Sequence, residues 1–163
     1  LNLNQAGSIN KAITESQNNF FTILNADDAL LPYVIPLLHT LLNKYPFVHM
    51  LGGSCIPFDK LNVQEYLKVI SNIIHYDPLV RLYDWDEVKT IRTLNHLYMT
   101  MSGCSFSKKA WEAVDGFWSF DKRICSWDDR DFQLRVSCLA RVAVFGEPTA
   151  LYRLTSSTGK AQQ

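Results

Sequence analysis

Two groups of carboxylates carry most of the chemistry this chain could do. In "TILNADDALLP", residues 22–32, Asp27 and Asp28 follow directly on an apolar run. In "CSWDDRDFQLR", Asp128, Asp129 and Asp131 crowd the start of a helical pattern just after Trp127, and Arg135 lies four residues beyond Asp131. In an open α/β sheet, carboxylates beyond the carboxyl end of a strand can hold Mg²⁺ or Mn²⁺ against a diphosphate, hard oxygen to hard cation. Adjacent acids in a loop repel each other, which raises one pKa and suits a general base. Each motif also has a plainer account. Asp27 or Asp28 can N-cap the next helix, and Asp131 with Arg135 forms an ordinary i, i+4 pair. Taken alone, neither motif decides between its two readings.

The remaining polar residues offer less. No Ser, His and Asp, and no Cys and His, stand at a recognisable catalytic spacing. Cys55, Cys104, Cys125 and Cys138 are far apart with no C-x-x-C pair, which reads as reduced thiols in a cytosolic protein. His39 and His49 fall in apolar segments as core or edge residues, while His75 and His96 lie in an irregular middle stretch as acceptor contacts or nothing. "LGGS" and "SGCS" read as turns or close strand packing and receive no chemistry from spacing.

The elements that must position these groups follow from apolar periodicity. "SINKAITES" predicts a helix over 8–17 with Ser8 as N-cap, and Phe20 to Leu24 a short buried strand ending at the acids. A helix over 32–45 follows, starting near Ile35 or kinked by Pro36, and then "FVHMLGGSCI" as a second buried strand ended by Gly52 and Gly53. Strand, helix, strand with short links predicts a parallel βαβ unit. Beyond it, "NVQEYLKVISNIIHY" and "WDEVKTIRTLNHL" read as helices. "LYMTMSGCSFS" predicts a strand, "KKAWEAVDGF" and "DDRDFQLRVSCLA" helices, and "RVAVFG" and "TALYRL" two final strands. The fold class is α/β with a mixed sheet.

Composition narrows the function classes. The 163 residues are 47% hydrophobic and 20% charged, globular values for one domain, and 16 basic against 16 acidic side chains leave no net charge. Without a Lys/Arg-rich run, binding to nucleic acid or an anionic lipid surface has little electrostatic support. No apolar run reaches the roughly 20 residues a membrane span requires.

In their order along the chain, these stretches resemble the family 2 glycosyltransferases of the GT-A fold. "NQAGSINKAITESQNNFFTILNADD" is similar to the family's N-x-G…L-D-A-D-D passage, with Gly7, Ser8, Ala12 and the strand leading into Asp27 and Asp28 in matching places. "SGCSFSKKAWEAVDGFWSFDKRICSWDDRDFQLRVSCLARVAVFGEPTALYRL" resembles its second half: a Gly-containing strand, a helix ending in a G-F pair, an acidic E-D-x-D-L-x-x-R helix start and a late Y-R strand.

The resemblance implies a Rossmann-like three-layer sandwich and inverting transfer of a sugar from a UDP-, GDP- or TDP-linked donor to a hydroxyl of a glycan, lipid-linked or small-molecule acceptor. Carried over position by position, Asn25-Ala26-Asp27 occupies the D-x-D. Asp27 then becomes the ligand of Mg²⁺ or Mn²⁺, Asn25 faces the ribose or diphosphate, and Asp28 assists or caps the next helix. Asp129 becomes the base, with Asp128 in the neighbouring Glu slot. Gly103 approaches the donor sugar and Trp127 stacks on the acceptor, while Asp131 and Arg135 are structural. Two departures bear on this: Asn25 brings no charge where the family has an acid, and the histidine that often follows the late Y-R is absent from "YRLTSSTG".

We expect residues 1–155 to form part of a GT-A catalytic domain, with 56–97 a variable or acceptor-side segment and 156–163 a flexible tail. The opening "LNLNQAGSIN" leads us to expect a fragment lacking the N-terminal strand and helix that hold the nucleotide base. The expected location is the cytoplasm, including its membrane face. A catalytically degenerate binding domain and a sugar nucleotidyltransferase are the alternatives.

Overall fold

A computed structural model describes residues 4–58, 79–83, 99–119 and 128–154 of the chain. The elements are α1 (Gln5–Glu15), β1 (Phe20–Thr22), β2 (Ala29–Leu30), α2 (Val34–Lys44), β3 (Met50–Phe58), β4 (Val80–Tyr83) and β5 (Ser105–Ser107). They continue with α3 (Lys108–Ala113), α4 (Asp128–Ser137) and β6 (Val142–Arg153). The strands form one mixed sheet in the order β1-β5-β3-β6-β2, with β4 also paired to β6. β3 and β6 are parallel, and the remaining pairs are antiparallel.

Side chains alternate across a strand, so each face of the sheet collects its own core. Met50 and Val142 turn to one face, where Ile13 of α1, Ala110 of α3 and Phe132 and Val136 of α4 cover them. Their neighbours Leu51 and Ala143 turn to the other, against Val34, Leu37, Leu38 and Leu41 of α2. The first core is aromatic: Phe132 stacks on Phe117 with centroids 3.9 Å apart and meets Phe106 edge-on at 4.8 Å. The second is mostly aliphatic. Helices pack on both faces of this mixed sheet, in keeping with the α/β class with a mixed sheet that the apolar pattern called for.

Several details differ from the sequence-based expectation. The first helix begins at Gln5 rather than Ser8, because Asn4 is the N-cap and its side-chain oxygen accepts the Gly7 N–H. β1 is a three-residue strand at the sheet border and only partly buried, not a central strand. The expected βαβ unit is opened up, since β5 lies between β1 and β3 and pairs antiparallel with both.

Gly52 and Gly53 do not end β3, which runs on to Phe58. A Cβ on Gly53 would lie 2.2 Å from the Glu147 carbonyl oxygen, so only glycine lets the two backbones approach so closely. Opposite it, the parallel register shifts between Gly52/Ser54 and Ser54/Cys55. The extra residues of β6 around Phe145–Glu147 bulge there, and the two expected final strands are one bent strand of 12 residues.

"VRLY" forms β4, which the sequence pattern did not single out. The two expected helices in the middle segment and the tail from 155 onward lie outside the described residues.

Candidate functional site

The stretch carrying Asn25, Asp27 and Asp28 crosses the end of the sheet, joining β1 at one border to β2 at the other. Its path is held by the segment that leads into β5. Gly103 N–H donates to the Ile23 carbonyl at 2.8 Å, and Ile23 N–H donates to the Cys104 carbonyl at 3.0 Å. The Asn25 N–H donates to Ser102 Oγ at 3.1 Å, and the chain then turns, with Asp28 N–H donating to the Asn25 carbonyl at 3.2 Å.

Asp28 is the hub of this turn. Its Oδ2 accepts from Ser102 Oγ at 2.5 Å and from Asn25 Nδ2 at 3.3 Å, while its Oδ1 accepts the Arg153 N–H at 3.0 Å. One carboxylate thus ties together three segments distant in sequence. It is not the cap expected of it: α2 starts at Val34, six residues on, with Tyr33 as an N-cap residue that makes no side-chain cap bond. The intervening residues are used by β2, which must first pair with β6. Pro36 falls in the first turn of α2, where its missing N–H costs nothing.

Asp27 is built differently. Its main-chain carbonyl accepts Arg153 Nε at 2.9 Å, and its exposed carboxylate has no hydrogen-bond or ion-pair partner among the described residues. The Asn25 amide is engaged at both ends, with its Oδ1 accepting Gln5 Nε2 at 3.2 Å and its Nδ2 on Asp28.

Gly103 has φ +86°, and a Cβ there would sit 2.3 Å from the Thr149 side chain. Both facts require glycine. Thr149 Oγ1 in turn donates to the Ser102 carbonyl at 2.9 Å or the Ser54 carbonyl at 3.1 Å, joining β3, β6 and the Ser102–Gly103 turn.

The second acidic group stands on α4, which packs on the face of the sheet carrying Met50 and Val142. Asp128, Asp129 and Asp131 occupy the first turn of α4, where they complement the helix dipole. Gln133, one turn further, donates to the Met99 carbonyl at 3.0 Å and anchors α4 on the segment that leads to the Ser102–Gly103 turn. Burial pushes the Cys104 thiol up to about 12, with the Asp129 charge adding to the rise and a hydrogen bond with Gln133 opposing it. Asp129 Oδ1 accepts the Arg130 N–H at 2.7 Å, and the Asp129 side chain is exposed.

Asp131 and Arg135 pair as the i, i+4 spacing predicts, at 2.7 Å. Trp127 lies outside the described residues. A separate cavity of about 180 Å³ opens between α3 and α4 at the far end of the sheet, lined by His49, Lys109, Val114 and Leu139, and it contains none of the site residues.

For a divalent cation, the fit is that of a shared site. No cluster of three or more His, Cys, Asp or Glu side chains among the described residues makes a protein-only cage. Asp27 nevertheless presents a free carboxylate, and Mg²⁺ is commonly held by one or two carboxylates plus substrate phosphates and water. Both Asp28 oxygens already accept hydrogen bonds within the turn.

The sequence reading passed over Ser102 and Arg153. "SGCS" read as a turn, and Arg153 entered only as part of the late Y-R. Nothing local marks either residue, because their partners are 74 and 126 positions away. No helix of the described residues is long and apolar enough to cross a membrane. No family model matches the chain, and no curated protein matches it either.

Proposed function

We propose that the chain is part of an inverting family 2 glycosyltransferase of the GT-A fold, transferring a sugar from a nucleoside-diphosphate donor to an acceptor hydroxyl. The observation that carries this reading is the Asn25–Ser102–Asp28 network. It brings the "NADD" turn against the "SGCS" segment, which come from the two separate passages of the family resemblance, while Gln133 of α4, the helix that begins with the acidic group, bonds the Met99 carbonyl just before that segment.

In this reading Asp129 accepts the proton of the acceptor hydroxyl as its oxygen attacks the anomeric carbon, and a single displacement inverts that centre. The Arg130 N–H on Oδ1 orients the carboxylate and leaves Oδ2 to the substrate. Asp27 is the ligand for a Mg²⁺ or Mn²⁺ that would offset charge on the departing diphosphate. Asp28 holds the turn in place, and Gly103, packed against Thr149 of β6, lies beside the donor sugar. Such chemistry suits a cytoplasmic site, including one at the inner face of a membrane, and glycan or polysaccharide synthesis is its natural setting.

The test is transfer and donor hydrolysis from a panel of UDP-, GDP- and TDP-sugars with Mn²⁺, using the full-length gene product. Asp129→Asn should lower transfer on the order of 10³-fold while leaving donor binding intact. Normal transfer by Asp129→Asn removes the assignment of the base. Failure of the wild type to bind or turn over any nucleotide sugar removes the reading as a whole.

A further inference from the structure

Arg153 stands out among the charged groups at this edge. Its backbone N–H and its Nε both point into the turn, donating to Asp28 Oδ1 and to the Asp27 carbonyl. Its guanidinium lies 5.2 Å from the Phe58 ring centroid. Two contacts of different kinds therefore fix the plane of the group. Although it lies beside Asp27 and Asp28, it forms no ion pair with either, and its two terminal nitrogens have no partner among the described residues. The side chain is exposed.

An arginine held this way has a planar pair of N–H donors already oriented, and that fork matches two oxygens of a phosphate group. Little rotamer freedom remains to be lost when an anion arrives. The competition within the turn is small: both Asp28 oxygens are taken up by three neutral donors, and Asn25 is uncharged.

Resting on the function proposed above, we infer that Arg153 is a phosphate-binding residue that grips the diphosphate of the donor directly. It acts beside Asp27 and supplies positive charge that does not depend on a bound cation. Asp27 and Arg153 then have opposite roles when no divalent ion is present. Asp27 repels the diphosphate, and Arg153 attracts it.

The experiment is calorimetric titration of the 163-residue chain with inorganic pyrophosphate in EDTA, a probe that needs neither base nor sugar. Arg153→Gln should weaken binding at least tenfold, and Arg153→Lys should fall between, keeping the charge but losing the fork. Asp27→Asn should tighten binding severalfold under the same conditions. Melting temperature is recorded for each variant, because Arg153 also latches the end of β6.

Pyrophosphate affinity within twofold of wild type in Arg153→Gln overturns the inference, whether or not the melting temperature falls, as does a wild-type chain that binds no pyrophosphate. The two proposals fail separately. Arg153-dependent pyrophosphate binding without any sugar transfer by the full-length product defeats the glycosyltransferase reading alone. Transfer unaffected by Arg153→Gln defeats only the role of Arg153.

Discussion

Arg135 and Arg153 are used in opposite ways at two places on the same fold. Arg135 on α4 is closed. Nε and Nη2 meet Asp131 Oδ2, each at 2.7 Å, Nη1 donates to the Val114 carbonyl and Nη2 also to that of Gly116, and the guanidinium covers Trp118 at 4.2 Å. Arg153 spends only Nε on the protein.

The asparagines repeat the contrast. Asn10 accepts from Trp111 Nε1 and the Phe117 N–H, both at 2.9 Å, and donates to the Phe117 carbonyl at 2.8 Å. Asn25 makes longer side-chain bonds, of 3.2 and 3.3 Å, in a partly exposed turn. The two arginines thus differ in how many of their donors the protein uses, and the two asparagines in how short and how buried their bonds are. This difference, more than residue type, separates the α3–α4 corner from the edge carrying Asp27.

The largest effect that would test the contrast is on Asn10. Asn10→Ala strands the Trp111 Nε1–H and both polar groups of Phe117 in a part-buried site, and should lower stability by about 2–3 kcal/mol in urea unfolding. Asn25→Ala should cost less than about 1 kcal/mol by the same measurement. Equal losses would mean that the Asn25 turn is as architectural as the α3 corner.

Arg135→Ala comes next. It leaves two carbonyls and the Asp131 carboxylate without their donor and uncovers Trp118, so a loss of about 2 kcal/mol is expected, with the melting temperature falling accordingly. Arg153→Gln, exposed and singly bonded, should stay within about 0.5 kcal/mol of wild type.

The smallest effect concerns pH at the closed end. His49 Nδ1 lies 3.0 Å from the hydroxyl of Ser107, the N-cap of α3, and burial together with the nearby Lys109 charge lowers its pKa below the ordinary value of 6.5. The folded state therefore favours neutral imidazole. The stability this confers is complete above the ordinary value and is lost as pH falls through it towards the lower folded value. Urea midpoints at pH 7.5 and pH 5 should differ more for wild type than for His49→Gln. An equal drop in both would show that His49 is not the group responsible.

Much of the mixed α/β arrangement was legible in the apolar pattern. Leu37, Leu38 and Leu41 mark the buried face of α2, and Phe132 and Val136 that of α4, because burial at helical period leaves a local signature. The boundary errors have local causes of another kind. Asn4 outcompeted Ser8 as a cap by reaching the Gly7 N–H, and Gly53 permits a close backbone approach within a strand where sequence alone suggests an end.

By itself, the sequence determined which residues can be acidic, apolar or turn-forming, and hence that α/β layers would form with carboxylates near strand and helix ends. Only the tertiary structure decided which carboxylate is tied into the fold and which is left exposed. Asp27 and Asp28 are adjacent and chemically identical, and their difference comes from Ser102 and Arg153, which the sheet order brings to Asp28 and not to the Asp27 side chain. Such assignments depend on contacts between residues far apart in the chain, and no local pattern encodes them.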